Sequence, residues 1–109
     1  MDLAVEAHLF AQGLPRAEQF ALAKQIRDAA ASVPGNIAEG CGRGTTRELL
    51  RFLDISRGSL QELDSHFELA FRLGYSNSIE ELQGRMNQVS RMISGLKAAL
   101  RKKLESEGE

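Results

Sequence analysis

Residues 25–50 of the chain read QIRDAAASVPGNIAEGCGRGTTRELL. Within them Ile26, Ala30, Val33 and Ile37 recur at three- and four-residue intervals, the period of one buried helix face. The stretch is also crowded with small residues. Ala29, Ala30, Ala31, Ser32, Gly35, Ala38, Gly40, Gly42 and Gly44 leave little bulk between this backbone and whatever packs on it, so a neighbouring helix can approach closely. Pro34 lies in mid-pattern. It has no N–H to donate and its ring presses on the preceding turn, which predicts a kink or local break near Ala30 to Val33. The alternating glycines at 40, 42 and 44 then read as a connector, and Thr45 and Glu48 hold the spacing of a capping box that opens a new helix.

That helix is predicted from Arg47 to Leu73, with Gly74 as its stop. Leu49, Leu53, Ser56, Leu60, Leu63, Phe67 and Ala70 form one row, and Phe52, Ile55, Ser59, Glu62, His66, Leu69 and Leu73 a second beside it. Two adjacent rows make a face broad enough for two neighbours, as a bundle helix requires. Ser78 and Glu81 repeat the capping-box spacing. Ile79, Leu82, Met86, Val89, Ile93, Leu96 and Leu100 then give the last helix a narrow three-four seam. Toward the N-terminus, Leu3, Ala7, Phe10 and Leu14 mark a short helix from residue 2 to 12 or 13. A second helix is predicted from Pro15 or Arg16, burying Phe20, Ala23, Ile26, Ala30, Val33, Ile37 and Cys41. Four helices on short connectors predict an all-α, antiparallel up-down-up-down four-helix bundle over residues 1–104, with residues 105–109 as a frayed acidic tail.

The composition fits one globular domain: 109 residues, 42% hydrophobic, 27% charged and without tryptophan. A formal net charge of -1 argues against coating nucleic acid by bulk positive charge, so any such contact needs a local patch. The single cysteine, Cys41, excludes an intrachain disulfide framework and fits a reducing compartment. With no basic, apolar leader and no long apolar run, the expectation is a soluble cytoplasmic protein without a membrane partner. The glycine run lacks the lysine of a phosphate-binding loop and follows a helix rather than a strand. His8 and His66 fall outside any paired metal-ligand motif. No catalytic residue, metal or cofactor is expected, and the chain reads as a non-enzyme.

Two polar sets stand out. Arg27, Asn36 and Glu39 lie on the small-residue helix, where Glu39, if buried, needs Arg27 or Arg43 as partner; they are candidates for a structural or interface clamp. Arg43, Arg47 and Arg51 form a cationic row in which like charges one turn apart repel, and Asp54, three residues on from Arg51, is one compensating carboxylate. Lys97, Arg101, Lys102 and Lys103 gather in the last turns of the final helix, where cations complement the helix dipole. The two basic groups together are the candidate nucleic-acid surface.

Gln25 to Arg27 with Ala29, Ser32 to Arg43, Arg51 to Leu53, Gly58 to Leu63 and Leu73 to Tyr75 carry a pattern. It resembles that of small bacterial four-helix-bundle proteins encoded in intervening sequences of large-subunit ribosomal RNA genes, to which the accessory protein of diversity-generating retroelements is similar. The resemblance covers about Leu14 to Leu100. It implies a homo-oligomer, a ring-shaped homopentamer, without enzyme activity. For the retroelement relative it implies contact with nucleic acid and a reverse transcriptase through a basic ring surface. The chain departs from the pattern in a shorter first helix and a mildly acidic charge balance. The expectation is therefore an oligomeric scaffold or interaction protein that binds structured RNA or DNA through its arginine-rich edge. The alternative is a purely protein-binding or self-assembling module.

Overall fold

The Thr45 hydroxyl accepts the Glu48 N–H at 3.2 Å, so a 27-residue helix opens where the Thr45/Glu48 spacing places it. A computed structural model describes residues 1–107. It contains α1 (Asp2–Gln12), α2 (Leu22–Gly42), α3 (Thr46–Arg72) and α4 (Glu80–Ser106), with a short 3-10 turn at Arg16–Glu18 before α2. Each helix packs on its neighbour in the chain, and α4 returns to α1. Ser32 meets Ser59 and Val33 meets Ser56 across α2 and α3. Asp54 meets Lys97, and Glu68 shares a depression with Gln83, across α3 and α4. Residue numbers rise on one helix as they fall on its partner, so these neighbours run antiparallel. The result is an all-α four-helix bundle with extents of 53 × 23 × 18 Å.

The main core joins all four helices. Ile26, Leu63 and Phe67 are completely buried, and Phe10 sets its ring edge against Phe67 at a centroid distance of 5.1 Å. Ala7, Ala11, Ala23 and Ala70 let the backbones close around them. Contact is closest where α2 meets α3. A β-carbon on Gly40 would lie 2.8 Å from the Phe52 β-carbon, a distance that only a glycine avoids. Gly44, at φ +84°, then takes the left-handed turn into α3.

Several sequence expectations are corrected. Helix α2 starts at Leu22, later than Pro15 or Arg16. The Gln19 side-chain amide donates to the Ala11 and Leu14 carbonyls, and Arg27 donates to the Gln19 carbonyl, so the α1 terminus is tied off by a folded connector. Phe20 in that connector is 93% exposed rather than buried, and Cys41 is also exposed. Helix α2 runs unbroken through Pro34. The surrounding turn is supported from α3: Ser56 donates to the Val33 carbonyl at 2.9 Å, and the Ser32 and Ser59 hydroxyls bond at 2.8 Å. Asn36 adds a bond of 2.8 Å to the Ser32 carbonyl. Ser78 accepts from the Glu80 N–H instead of completing a box with Glu81, because Ile79 is drawn into the core and the helix begins directly behind it.

The second row of α3 is only partly covered, with Ile55, Leu69 and Leu73 exposed. On α4 the buried stripe drifts off the predicted seam past Ile93, leaving Leu96 exposed and Lys97 buried. Helix α4 also continues through Glu105 to Ser106, where fraying is expected from the sequence; residues 108 and 109 of that tail lie outside the described residues.

Candidate nucleic-acid interface

The end of α2 and the beginning of α3 bring Arg43 and Arg51 to one aromatic ring. Phe52 is buried to its edge against Gly40, and the Arg43 and Arg51 guanidinium carbons lie 5.1 and 4.7 Å from its ring centroid. Such cation–π contacts contribute roughly 0.5–1 kcal/mol each at exposed sites. Each arginine also has a carboxylate on its own helix. Arg43 bonds Glu39 at 2.9 Å and Arg51 bonds Glu48 at 2.9 Å, with all four side chains solvent-accessible. Exposed pairs of this kind are worth about 0–1 kcal/mol, so they hold the cations in place while leaving them open to exchange for a phosphate. Arg47 is exposed in the first turn of α3, one turn before Arg51.

The like charges of the row are therefore relieved by Glu39 and Glu48. Asp54, the carboxylate that sequence spacing offers to Arg51, turns to Lys97. Over residues 1–95 the chain matches the family described as 23S rRNA-intervening sequence protein. The chain belongs to that family. No curated protein matches it.

In this member of the 23S rRNA-intervening sequence protein family, the C-terminal cations divide. Lys97 is 6% exposed and its ammonium pairs with Asp54, an exposed side chain of α3, so it is withdrawn from the basic surface proposed by its sequence position. Arg101 and Lys102 are exposed, and Lys103 lies 4.0 Å from Glu107. The antiparallel register places these last turns of α4 beside the first turns of α3, so the structure brings Arg101 to Lys103 to the end of the bundle that carries Arg43, Arg47 and Arg51.

The other polar set does not form one clamp. Arg27 bonds the Gln19 side chain and backbone at the α1–α2 connection, Asn36 bonds Ser32, and Glu39 is an exposed partner of Arg43. Its three members serve three separate contacts. Among the described residues, no group of three or more His, Cys, Asp or Glu could hold a metal ion, and no helix is long and apolar enough to cross a membrane.

Sequence reasoning did not find the outward apolar row of α1. Met1, Val5 and Leu9 follow at four-residue intervals, and Leu9 is 60% exposed. Leu9 stands between a groove of about 310 Å³ against α2 and one of about 490 Å³ against the start of α4. The spacing was present in the sequence, but it lies beside the Leu3, Ala7 and Phe10 row, and one helix in isolation does not reveal which row faces inward. A half-buried ion pair between Glu6 and Arg85, bidentate at 2.8 and 3.2 Å, ties α1 to α4 beside the second groove and holds the Arg85 guanidinium above its ordinary pKa.

Proposed function

We propose that this protein is a non-catalytic, self-assembling helical scaffold whose arginine-rich end contacts structured RNA or DNA. The observation that carries the reading is the exposed Met1, Val5 and Leu9 row, flanked by grooves on both sides. Contiguous apolar surface of this kind marks an interaction site more often than a bare face of a monomer. A second copy is the favoured occupant, and a homopentameric ring is the assembly that the family resemblance implies. A ring would repeat the Arg43, Arg47 and Arg51 edge around an axis, so that a weak patch gains avidity without new contacts. The alternative, self-assembly without nucleic-acid contact, is favoured by Glu39 and Glu48, which already pair with Arg43 and Arg51.

Sedimentation of the wild type beside a Val5→Glu, Leu9→Glu double variant tests the assembly. We expect the wild type at several times the mass of one 12.0 kDa chain and the variant at a smaller mass with unchanged helical content. A wild type that stays monomeric at tens of micromolar concentration overturns the reading.

A further inference from the structure

Helix α1 lines only part of the bundle's length. Its Glu6 bonds Arg85 and its Leu9 lies with Leu82, so in this antiparallel register Val5 stands level with Met86 and Met1 with Ser90. Beyond that level α4 runs on to Ser106 and α2 to Gly42. The corner that α1 fills lower down stays open there, because the α2 and α4 backbones nowhere approach each other among the described residues. Met92 lies two turns beyond Arg85, and Leu96 four turns beyond Leu82, on the side of α4 that meets α1. Met92 is 72% exposed and Leu96 41%. On α2, Pro34 and Ala38 lie two turns beyond Arg27 and Ala31, which border α1, and Cys41 follows Pro34 by two more turns. Cys41 continues the buried stripe of α2 and is nevertheless exposed. These five residues line a recess, and none of them is charged.

Below the recess α1 stands out as a ridge, with Met1, Val5 and Leu9 along its outer side. Ridge and recess are counterparts. Leu82 and Leu96 are equally far from Val89 along α4, and so are Met86 and Met92. A two-fold axis at the level of Val89 therefore carries Leu9 of one copy to Leu96 of another, and Val5 to Met92. The recess, open from Ser90 to Ser106, is long enough for the 11 residues of α1. Met1, Val5, Leu9, Met92 and Leu96 together expose on the order of 500 Å² of apolar side chain, close to the apolar share of the roughly 800 Å² that each partner buries in a standard interface. A short peptide would cover one half of this surface and leave the other bare.

We propose that two copies of this chain interlock about that axis, the α1 ridge of each seated in the recess of the other, a contact that rests on the self-assembly proposed above and gives it its geometry. A two-fold contact closes on itself and joins chains in pairs, so a five-membered ring accommodates it only by pairing with a second ring. The arginine-rich ends of a pair then point in opposite directions.

Leu9→Cys and Leu96→Cys placed together in a Cys41→Ser chain test the contact. Within one chain the two positions are about 21 Å apart along the bundle, too far for a disulfide, whereas in the interlocked pair they meet. We expect oxidation with diamide to move most of this variant to twice the 12.0 kDa mass of one chain on a denaturing, non-reducing gel. A Leu9→Cys, Leu69→Cys control, its second position on α3, should stay at the single mass. In the unmutated protein α1 of the other copy covers Cys41, which should react with a thiol reagent at least about tenfold more slowly in the assembled protein than after dilution to single chains. If the variants lose helical content, the Cys41 rates alone decide. An assembled protein that lacks the link between positions 9 and 96, or whose Cys41 reacts equally fast at both concentrations, overturns the interlock and leaves self-assembly standing. A wild type that stays monomeric at tens of micromolar concentration overturns both.

Discussion

Lys97 is buried on α4, and its ammonium reaches out to Asp54, whose own side chain is more than half exposed. Burying a charge costs more than an exposed pair returns, so the contact is weak as a source of stability and strict as a constraint. Removing the acid alone strands the cation, whereas replacing the cation by an apolar side chain of similar length removes the problem. We expect Asp54→Ala to lower unfolding stability by about 1–3 kcal/mol and Lys97→Met to leave it within about 1 kcal/mol of the wild type or above it, measured by urea unfolding. Equal losses in both variants would mean that the pair itself, rather than the stranded charge, supplies the stability. Arg43 and Arg51 show the opposite arrangement. Their charges stay in water, and the buried partner is the neutral ring of Phe52.

At the scale of elements, the connections are held by individual polar bonds. Tyr75, just after α3, donates its hydroxyl to Glu18 in the 3-10 turn at 2.8 Å, joining the loop before α4 to the loop before α2. That bond, with the neighbouring carboxylate charge, raises the Tyr75 pKa above its ordinary value near 10.0. The protonated phenol is thus the form favoured in the folded state. Its stabilisation is fully present below the ordinary value and is lost as pH climbs through the raised one. Thermal melts of the wild type and Tyr75→Phe between pH 8 and 11.5 should differ by a constant margin below about pH 10 and converge above it. A margin that persists at the highest pH would assign the effect to packing.

The same elements explain what the sequence disclosed. The α3 start was legible because the Thr45 and Glu48 bond is local, and the inward faces of α1 and α3 because their apolar rows are long and regular. Phe20 was misplaced because the contacts that end the α1 connector come from Gln19 and Arg27, eight residues apart, and leave no periodic trace. Pro34 reads in the sequence as a kink or local break because its support, Ser56 and Ser59, lies more than twenty residues downstream. At the candidate site the arginine row was visible, whereas the ring that seats two of its members and the acid that withdraws Lys97 are products of tertiary contact.

For the whole molecule, a net charge of -1 means that attraction to a polyanion has to come from arrangement rather than total. Arg43, Arg47 and Arg51 stand at one end of a bundle 53 Å long, with Arg101 and Lys102 on the adjoining turns of α4. We expect affinity for a structured RNA to fall steeply between low and moderate salt. An Arg43→Gln, Arg47→Gln, Arg51→Gln variant of unchanged oligomeric mass should bind more weakly, its salt slope reduced by about 1 for each phosphate contact removed. Absence of binding by the intact assembly at low salt would leave self-assembly as the function of this end. The spacing of those charges depends on a residue that has none. Gly40 lets α2 settle against Phe52, and that settling is what carries Arg43 to the same ring as Arg51. A bulkier residue there would push the two helix ends apart and pull the cations off their common seat while every basic side chain remained in the sequence. The pattern of positive charge presented to a partner is thus written in part by a single hydrogen atom, at a position that a survey of charged residues alone would pass over.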